Sequence, residues 1–179
     1  MSRITIPLAL GTVIELFGIA SAAVLLVAAP AVTSPLLAFI AYFLALVCLV
    51  FFPHCLAHYA VGRLAGIRFD YYYLTKSGVR KLRIPLAGRI GQKIPVLALK
   101  VDPFSLRSVS RDRRVAMFSA GAIASMVLPF ISVAASFEYL PTSFTLILFL
   151  FALANFAFDL YYSPKAGDLA KAKSASRSD

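Results

Sequence analysis

The chain has few of the residue types on which most protein chemistry depends. Of its 179 residues, only two are histidine, two are cysteine and eight are acidic, against 18 Lys and Arg. Cys48 and Cys55 lie seven residues apart in one apolar run. Their α-carbons would be roughly 10 Å apart along a helix, which is too far for a disulfide bond. We therefore expect free thiols, and any histidine-based site must use His54 and His58.

Apolar residues, in contrast, are abundant. They make up 60% of the chain, whereas soluble domains typically contain about 45–50%. Four apolar stretches are long enough to cross roughly 30 Å of hydrocarbon as helices. These predicted spans cover residues 4–29, 35–60, 115–137 and 142–162. Because the first is too long for a signal-peptide core, we predict an all-α polytopic membrane protein with four transmembrane helices, its membrane domain covering residues 1–162.

The segment between the second and third spans, residues 62–114, is the main place for structure outside the membrane. It contains three runs rich in β-branched and aromatic residues, IRFDYYYL, KLRIPL and KIPVLALKV, separated by short glycine-containing stretches. Such runs favour strands. We predict a small β-hairpin or sheet that either packs on lipid headgroups or recognises a partner. Residues 163–179 are predicted to form a cytoplasmic tail that is disordered over its final stretch, AKAKSASRSD.

Positive charge is concentrated on one side of the predicted topology. Thirteen of the 18 Lys and Arg lie in residues 62–114 and four follow the last span, whereas residues 30–35 and 138–141 contain none. Because cytoplasmic loops of membrane proteins carry an excess of Lys and Arg, we expect both termini in the cytoplasm, with the protein integral to the plasma membrane of a prokaryote. The charge predicts contact with anionic lipid headgroups and no nucleic-acid partner.

The third span carries small residues at a spacing typical of helix packing. Gly121 and Ser125, in the stretch SAGAIAS, are four residues apart and share one helix face. We predict that another helix approaches closely there, in a structural rather than a chemical role.

The two histidines have the spacing of metal ligands on a helix. His54 and His58 are four residues apart, so both lie on one helix face, with His54 roughly 13 Å inside the membrane boundary. Zinc takes three or four protein ligands, and the fourth span leaves the membrane on the same side with Asp159 and Asp168. We predict a His-His-Asp metal site and leave open which aspartate completes it. The alternative is a histidine pair that serves only in packing.

Three stretches of the chain resemble the site-2 protease family of intramembrane zinc metallopeptidases. HCLAHYAVGRLAG resembles the H-E-x-x-H helix of that family, SRDRRVAMFSAGAIAS its third-helix region and FDLYYSPKAGD its final motif. The likeness covers three of the four spans in the family's order. It implies zinc as the cofactor and His54, His58 and Asp168 as its ligands. The final motif departs from the family pattern because Gly167 precedes the aspartate, and such a pair is also a turn or helix-start signal.

Cys55 stands where that family has the glutamate that acts as general base. Loss of a general base typically lowers a rate by about 10²–10⁴-fold. Cys55 either packs as a small apolar residue or binds the metal as a thiolate and closes the site. Glu15, in the first span at a depth similar to that of His54, is a candidate ligand or displaced base.

These features predict a degenerate member of the family, a peptidase homologue that is catalytically impaired or inactive. It would bind transmembrane or peptide clients, and the missing glutamate leaves open whether zinc is retained. The alternative is an active intramembrane zinc metalloprotease that uses a displaced base such as Glu15. The client and the oligomeric state are not indicated by the sequence.

Overall fold

The computed structural model describes residues 4–76 and 95–176. Within these ranges, four helical segments are long and apolar enough to cross a membrane. They cover Leu8–Ala31, Pro35–Leu64, Arg111–Ser136 and Thr142–Ala166. A small antiparallel sheet accompanies them, so the predicted fold class, four transmembrane helices with a small sheet, is confirmed.

In the described residues, a short strand precedes the first span. Strand β1, Thr5–Pro7, precedes helix α1, Leu8–Ala28, which a 3-10 turn extends to Ala31. Helix α1 therefore begins four residues after residue 4, near which we placed the start of the first span. Ile4 already belongs to the strand pairing, because its carbonyl oxygen accepts a hydrogen bond from the Leu74 backbone at 3.0 Å.

Helix α2, Pro35–Leu64, is the longest element and carries both histidines. It begins with proline, which has no backbone N–H to leave unsatisfied at the first helical position. It continues four residues beyond the predicted end, and Arg63 lies in its last turn, where a cation is favourable. Helix α1 packs tightly against α2, since a β-carbon on Gly18 would overlap the Phe52 ring.

The sheet has the order β1-β2-β3, with all neighbours antiparallel. Strand β2, Phe69–Lys76, and strand β3, Pro95–Val101, correspond to two of the three predicted runs. The third run, KLRIPL, lies outside the described residues. Tyr72, at the centre of β2, is fully buried against α1, where a β-carbon on Gly11 would overlap its ring.

A short helix that the sequence analysis did not predict follows the sheet. Helix α3, Pro103–Ser108, starts at an Asp102 cap whose carboxylate accepts hydrogen bonds from the backbone N–H of Phe104 at 3.0 Å and of Ser105 at 3.4 Å. These contacts satisfy two of the N–H groups that a helix start leaves unpaired.

The third and fourth spans complete the membrane domain. The third consists of helix α4, Arg111–Val127, and helix α5, Pro129–Ser136; the fourth is helix α6, Thr142–Ala166. Helices α2, α5 and α6 share an apolar core around Tyr42 and Leu148, both fully buried. Ser132 of α5 donates a hydrogen bond to the Tyr42 carbonyl at 2.6 Å.

The segment after the fourth span is helical as far as Ala175, not disordered as we expected from its composition. Residues 177–179 of the stretch that we expected to be disordered lie outside the described residues. Helix α7, Asp168–Ala175, contacts α4 and buries Ala172. Its first turn is held by Ser163, whose hydroxyl oxygen accepts a hydrogen bond from the Leu169 backbone at 3.1 Å. Tertiary contact therefore orders a polar segment that has little tendency to fold alone.

Candidate metal centre

One oxygen atom of Asp168 lies between the two imidazoles. Its Oδ2 atom is 3.0 Å from Nε2 of His54 and 3.2 Å from Nε2 of His58. The ligand atoms of these three residues all lie within 4.8 Å of one another, and the group can hold a metal ion. The structure thus brings together the three residues that the sequence analysis selected as ligands.

Asp168 reaches the histidines because the chain turns sharply between α6 and α7. Gly167 has no side chain at this turn, and a β-carbon there would lie 2.8 Å from the Ser163 backbone. The turn makes Asp168 the first residue of α7. The same aspartate therefore starts a helix and contacts the histidines. The interpretation of Gly167 and Asp168 as a helix start is thus compatible with Asp168 as a metal ligand.

His58 is held in a slot against α4. Its Nδ1 atom lies 2.7 Å from the carbonyl oxygen of Met117. A β-carbon on Gly121 would lie only 2.2 Å from Nε2 of His58, so the ring occupies the space that a larger residue would fill. The small residue that we expected to serve helix packing therefore makes room for a histidine of the donor group.

His54 is oriented by the other small residue of α4. Its Nδ1 atom lies 2.7 Å from Oγ of Ser125, and that hydroxyl donates a hydrogen bond to the Gly121 carbonyl at 2.8 Å. Asn155 of α6 donates to the Ser125 carbonyl at 2.9 Å and ties α6 to this turn of α4. We did not predict these roles of Ser125 and Asn155, although the spacing of Gly121 and Ser125 marked this face of the helix.

These contacts assign the same tautomer to both rings. The Met117 carbonyl can only accept, so Nδ1 of His58 carries the proton. The Ser125 hydroxyl hydrogen is directed to Gly121, so Ser125 accepts from Nδ1–H of His54. In the neutral rings, both Nε2 lone pairs therefore face the Asp168 carboxylate. Three acceptor atoms at this distance require a cation or a proton between them.

The arrangement fits a tetrahedral metal such as zinc. With ligand bonds of about 2.0–2.1 Å, two donor atoms of such a site lie roughly 3.3 Å apart, close to the 3.0 and 3.2 Å from Oδ2 of Asp168 to the two Nε2 atoms, and all three donor atoms lie within 4.8 Å of one another. Histidine ligands of metals generally donate their other ring N–H to a carbonyl or another acceptor, as both rings do. Three protein ligands leave a fourth position, which is the pattern of catalytic rather than structural zinc.

Lys171 adds a positive charge beside the donors. Its ammonium group donates a hydrogen bond to Oδ1 of Asp168 at 2.7 Å. Burial opposes ionisation of Asp168, but when the imidazole Nε2 atoms carry a proton, their hydrogen bonds and the charge of Lys171 outweigh this effect and hold the pKa of the carboxyl group well below its ordinary value. The contact with Lys171 favours the carboxylate anion, the form that a metal ligand requires.

Cys55 takes part in packing with the sheet. It is buried, and its thiol donates a hydrogen bond to the carbonyl of Leu97 in β3 at 3.3 Å. Within the described part of the chain, the three-residue donor group does not include it. The contact favours the packing interpretation of Cys55 over thiolate ligation, and it fastens β3 to the helix that carries the histidines.

The two remaining candidate carboxylates are also outside the donor group that residues 4–76 and 95–176 form. Asp159 of α6 lies in electrostatic range of His54 and Asp168. Glu15 of α1 is only 2% exposed, and its Oε2 atom has no hydrogen-bond partner among those residues. It lies in electrostatic range of Cys55. Of the two aspartates left open by the sequence, the structure brings Asp168 to the histidines.

No protein-family model, curated protein or solved structure matches this chain. The class of this protein is therefore described by its own helices and donor group. The described residues contain four helices suited to span a membrane and a His-His-Asp group that can hold a metal ion.

Proposed function

We propose that this chain is a site-2-protease-like membrane protein that binds zinc and has lost efficient peptide hydrolysis. The observation that carries the proposal is the convergence of the two Nε2 lone pairs and one Asp168 oxygen on a common point. The three residues that converge, His54, His58 and Asp168, are the ones that the resemblance to the family implies as zinc ligands.

The catalytic impairment follows from the residues around the donors. A bound zinc ion lowers the pKa of water and polarises carbonyl groups, but hydrolysis also requires a group that takes the proton and passes it on. Cys55 directs its thiol to the Leu97 carbonyl. Asp168 is engaged with both imidazoles and with Lys171. Neither residue is disposed to act as that base.

We infer that the retained function is the binding of an extended client segment. In the described residues, β3 has β2 on one side only and is an edge strand. An edge offers backbone hydrogen bonds to an added strand. Because Cys55 contacts Leu97 of β3 and is adjacent to His54, an added strand would lie close to the donor group.

The distribution of charge supports a cytoplasmic orientation of this end of the protein. Thirteen of the 18 Lys and Arg lie between residues 62 and 114, which include the last turn of α2, the connection to α4 and the first turn of α4. Excess positive charge favours the cytoplasmic side. We therefore propose that the donor group and the sheet face the cytoplasm of the cell.

Metal analysis of the purified protein tests the central proposal. The wild type in detergent should hold about one zinc per chain, and His54→Ala should hold less than roughly a tenth of that, because two protein ligands rarely retain zinc. Cys48→Ala, on the same helix and outside the donor group, is the matched control and should keep full occupancy. A wild type that contains no zinc and takes up none would refute the proposal. A proton shared between Asp168 and the histidines would then be the alternative to a metal ion.

The alternative, an active protease with a displaced base, is supported by Glu15. Burying a carboxylate oxygen without a hydrogen-bond partner among the described residues costs free energy. Costly ionisable residues within a membrane span generally indicate a functional role. Glu15 is in electrostatic range of Cys55, which occupies the position of the family's general base.

Glu15→Gln tests this alternative. If Glu15 is the base, wild-type protein should cleave a membrane-spanning peptide in micelles, and the variant should be slower by about 10²–10⁴-fold with unchanged zinc content. Asp159→Asn, a second intramembrane carboxylate outside the donor group, is the control. Equal cleavage by wild type and Glu15→Gln would exclude Glu15 as the base.

A further inference from the structure

A cationic cleft opens beside the donor group, where helices α3, α4 and α7 meet. It has a volume of about 270 Å³. Its charged lining consists of Arg107 from α3, Arg114 from α4 and Lys171 from α7, and Ser174 adds a hydroxyl group. Among residues 4–76 and 95–176, none that lines the cleft is acidic. Three separate elements therefore contribute cationic side chains to the lining of one cleft, which suits an anion with several oxygen atoms.

The other wall of the cleft is apolar. Leu106 and Phe118 contribute hydrocarbon and aromatic surface. Phe118 lies four residues after Arg114 on α4, so it sits one turn further into a helix suited to span the membrane. The cleft is thus cationic at the helix start and apolar deeper along the span, which matches a molecule with an anionic head and an apolar tail.

We propose that this cleft binds the headgroup phosphate of an anionic membrane lipid. Arg107, Arg114 and Lys171 contact the phosphate, and Phe118 lies against the upper part of an acyl chain. Inorganic phosphate has the same anionic oxygen atoms as the lipid headgroup, but it gains no binding free energy from the apolar wall. The location at the end of a membrane span brings lipid headgroups to the cleft at high local concentration.

The lipid would lie one side chain away from the donor group. Lys171 lines the cleft and also donates a hydrogen bond to Asp168 at 2.7 Å. Substitution of Lys171 would therefore disturb both sites. Arg107 has no contact with the three donor residues in the described hydrogen bonds and ion pairs, so it tests the cleft separately from zinc.

Native mass spectrometry of the full chain, released from detergent with added lipid, tests the assignment. Wild-type protein should retain phosphatidylglycerol in preference to phosphatidylcholine. Arg107→Gln and Arg114→Gln should each weaken phosphatidylglycerol binding by roughly tenfold, as expected for the loss of one charged hydrogen bond, while Arg107→Lys should recover most of it. The matched controls are Arg63→Gln and Lys173→Gln, which remove exposed charges outside the cleft and should bind like the wild type.

Two results would overturn the assignment. The first is an equal loss of lipid in the cleft variants and in both controls, which would indicate diffuse attraction to the basic surface. The second is displacement of the lipid by micromolar inorganic phosphate, which would assign the cleft to a soluble anion. Arg107 is exposed, so its substitution should leave the fold intact even if Arg114→Gln does not fold. Because lipid retention is measured without added zinc, it is independent of the proposed metal function.

Discussion

Replacing Cys55 with glutamate should raise the rate at which the protein cleaves a membrane-spanning peptide by about 10²–10⁴-fold, the usual contribution of a positioned general base. The resemblance assigns this role to the residue after the first motif histidine. Position 55 is adjacent to His54, whose Nε2 atom belongs to the donor group. The experiment measures release of a labelled peptide in micelles with zinc present.

The structure also indicates what the substitution must overcome. The Cys55 thiol is buried and donates to the Leu97 carbonyl, whereas a carboxylate would be repelled by that oxygen. Repulsion from β3 should turn the glutamate toward the donor group. Cys55→Gln, which has the same length without a transferable proton of suitable pKa, is the matched control and should remain inactive. Robust cleavage by the wild type with no gain in Cys55→Glu would contradict the proposed impairment.

The four spans could be predicted from the sequence because apolar length alone decides whether a helix can cross a membrane. The predicted ends of these spans were less accurate than their positions. Helix α2 continues to Leu64 and α6 to Ala166, beyond the apolar residues, since backbone hydrogen bonding does not stop where polar side chains begin. Strand β1 was missed because three residues, Thr5–Pro7, form a strand only through a partner more than 60 positions away.

The donor residues could be predicted, but their supporting contacts could not. His54 and His58 stand out because the chain has only these two histidines, and the topology predicted from the sequence brings Asp168 to the same side. Gly121 and Ser125 have the same sequence signature whether they admit a neighbouring helix or a histidine ring. Only the structure shows that Gly121 faces the ring of His58 and Ser125 faces that of His54.

Asp168→Asn should lower the affinity for zinc by about 10²–10³-fold. Zinc sites in peptides have apparent binding free energies of about 10–16 kcal/mol, so each of four ligands contributes roughly 2.5–4 kcal/mol. Asparagine keeps the shape of the side chain but removes the charge that faces both Nε2 atoms. Without metal, its amide group can donate to one of these lone pairs, so the variant should fold. Affinity is measured by competition with a chelator of known zinc affinity.

Asp159→Asn is the matched control for this substitution, because it removes an equivalent charge from the neighbouring helix without touching the donor group. It should change the affinity for zinc by less than about tenfold, since its influence is only electrostatic and partly screened. A reversed result, with the large loss in Asp159→Asn, would make Asp159 the ligand and would require α6 to rotate. Equal and small losses in both variants would show that the two histidines bind the metal without a carboxylate, and the sharp turn at Gly167 would then serve only to start α7.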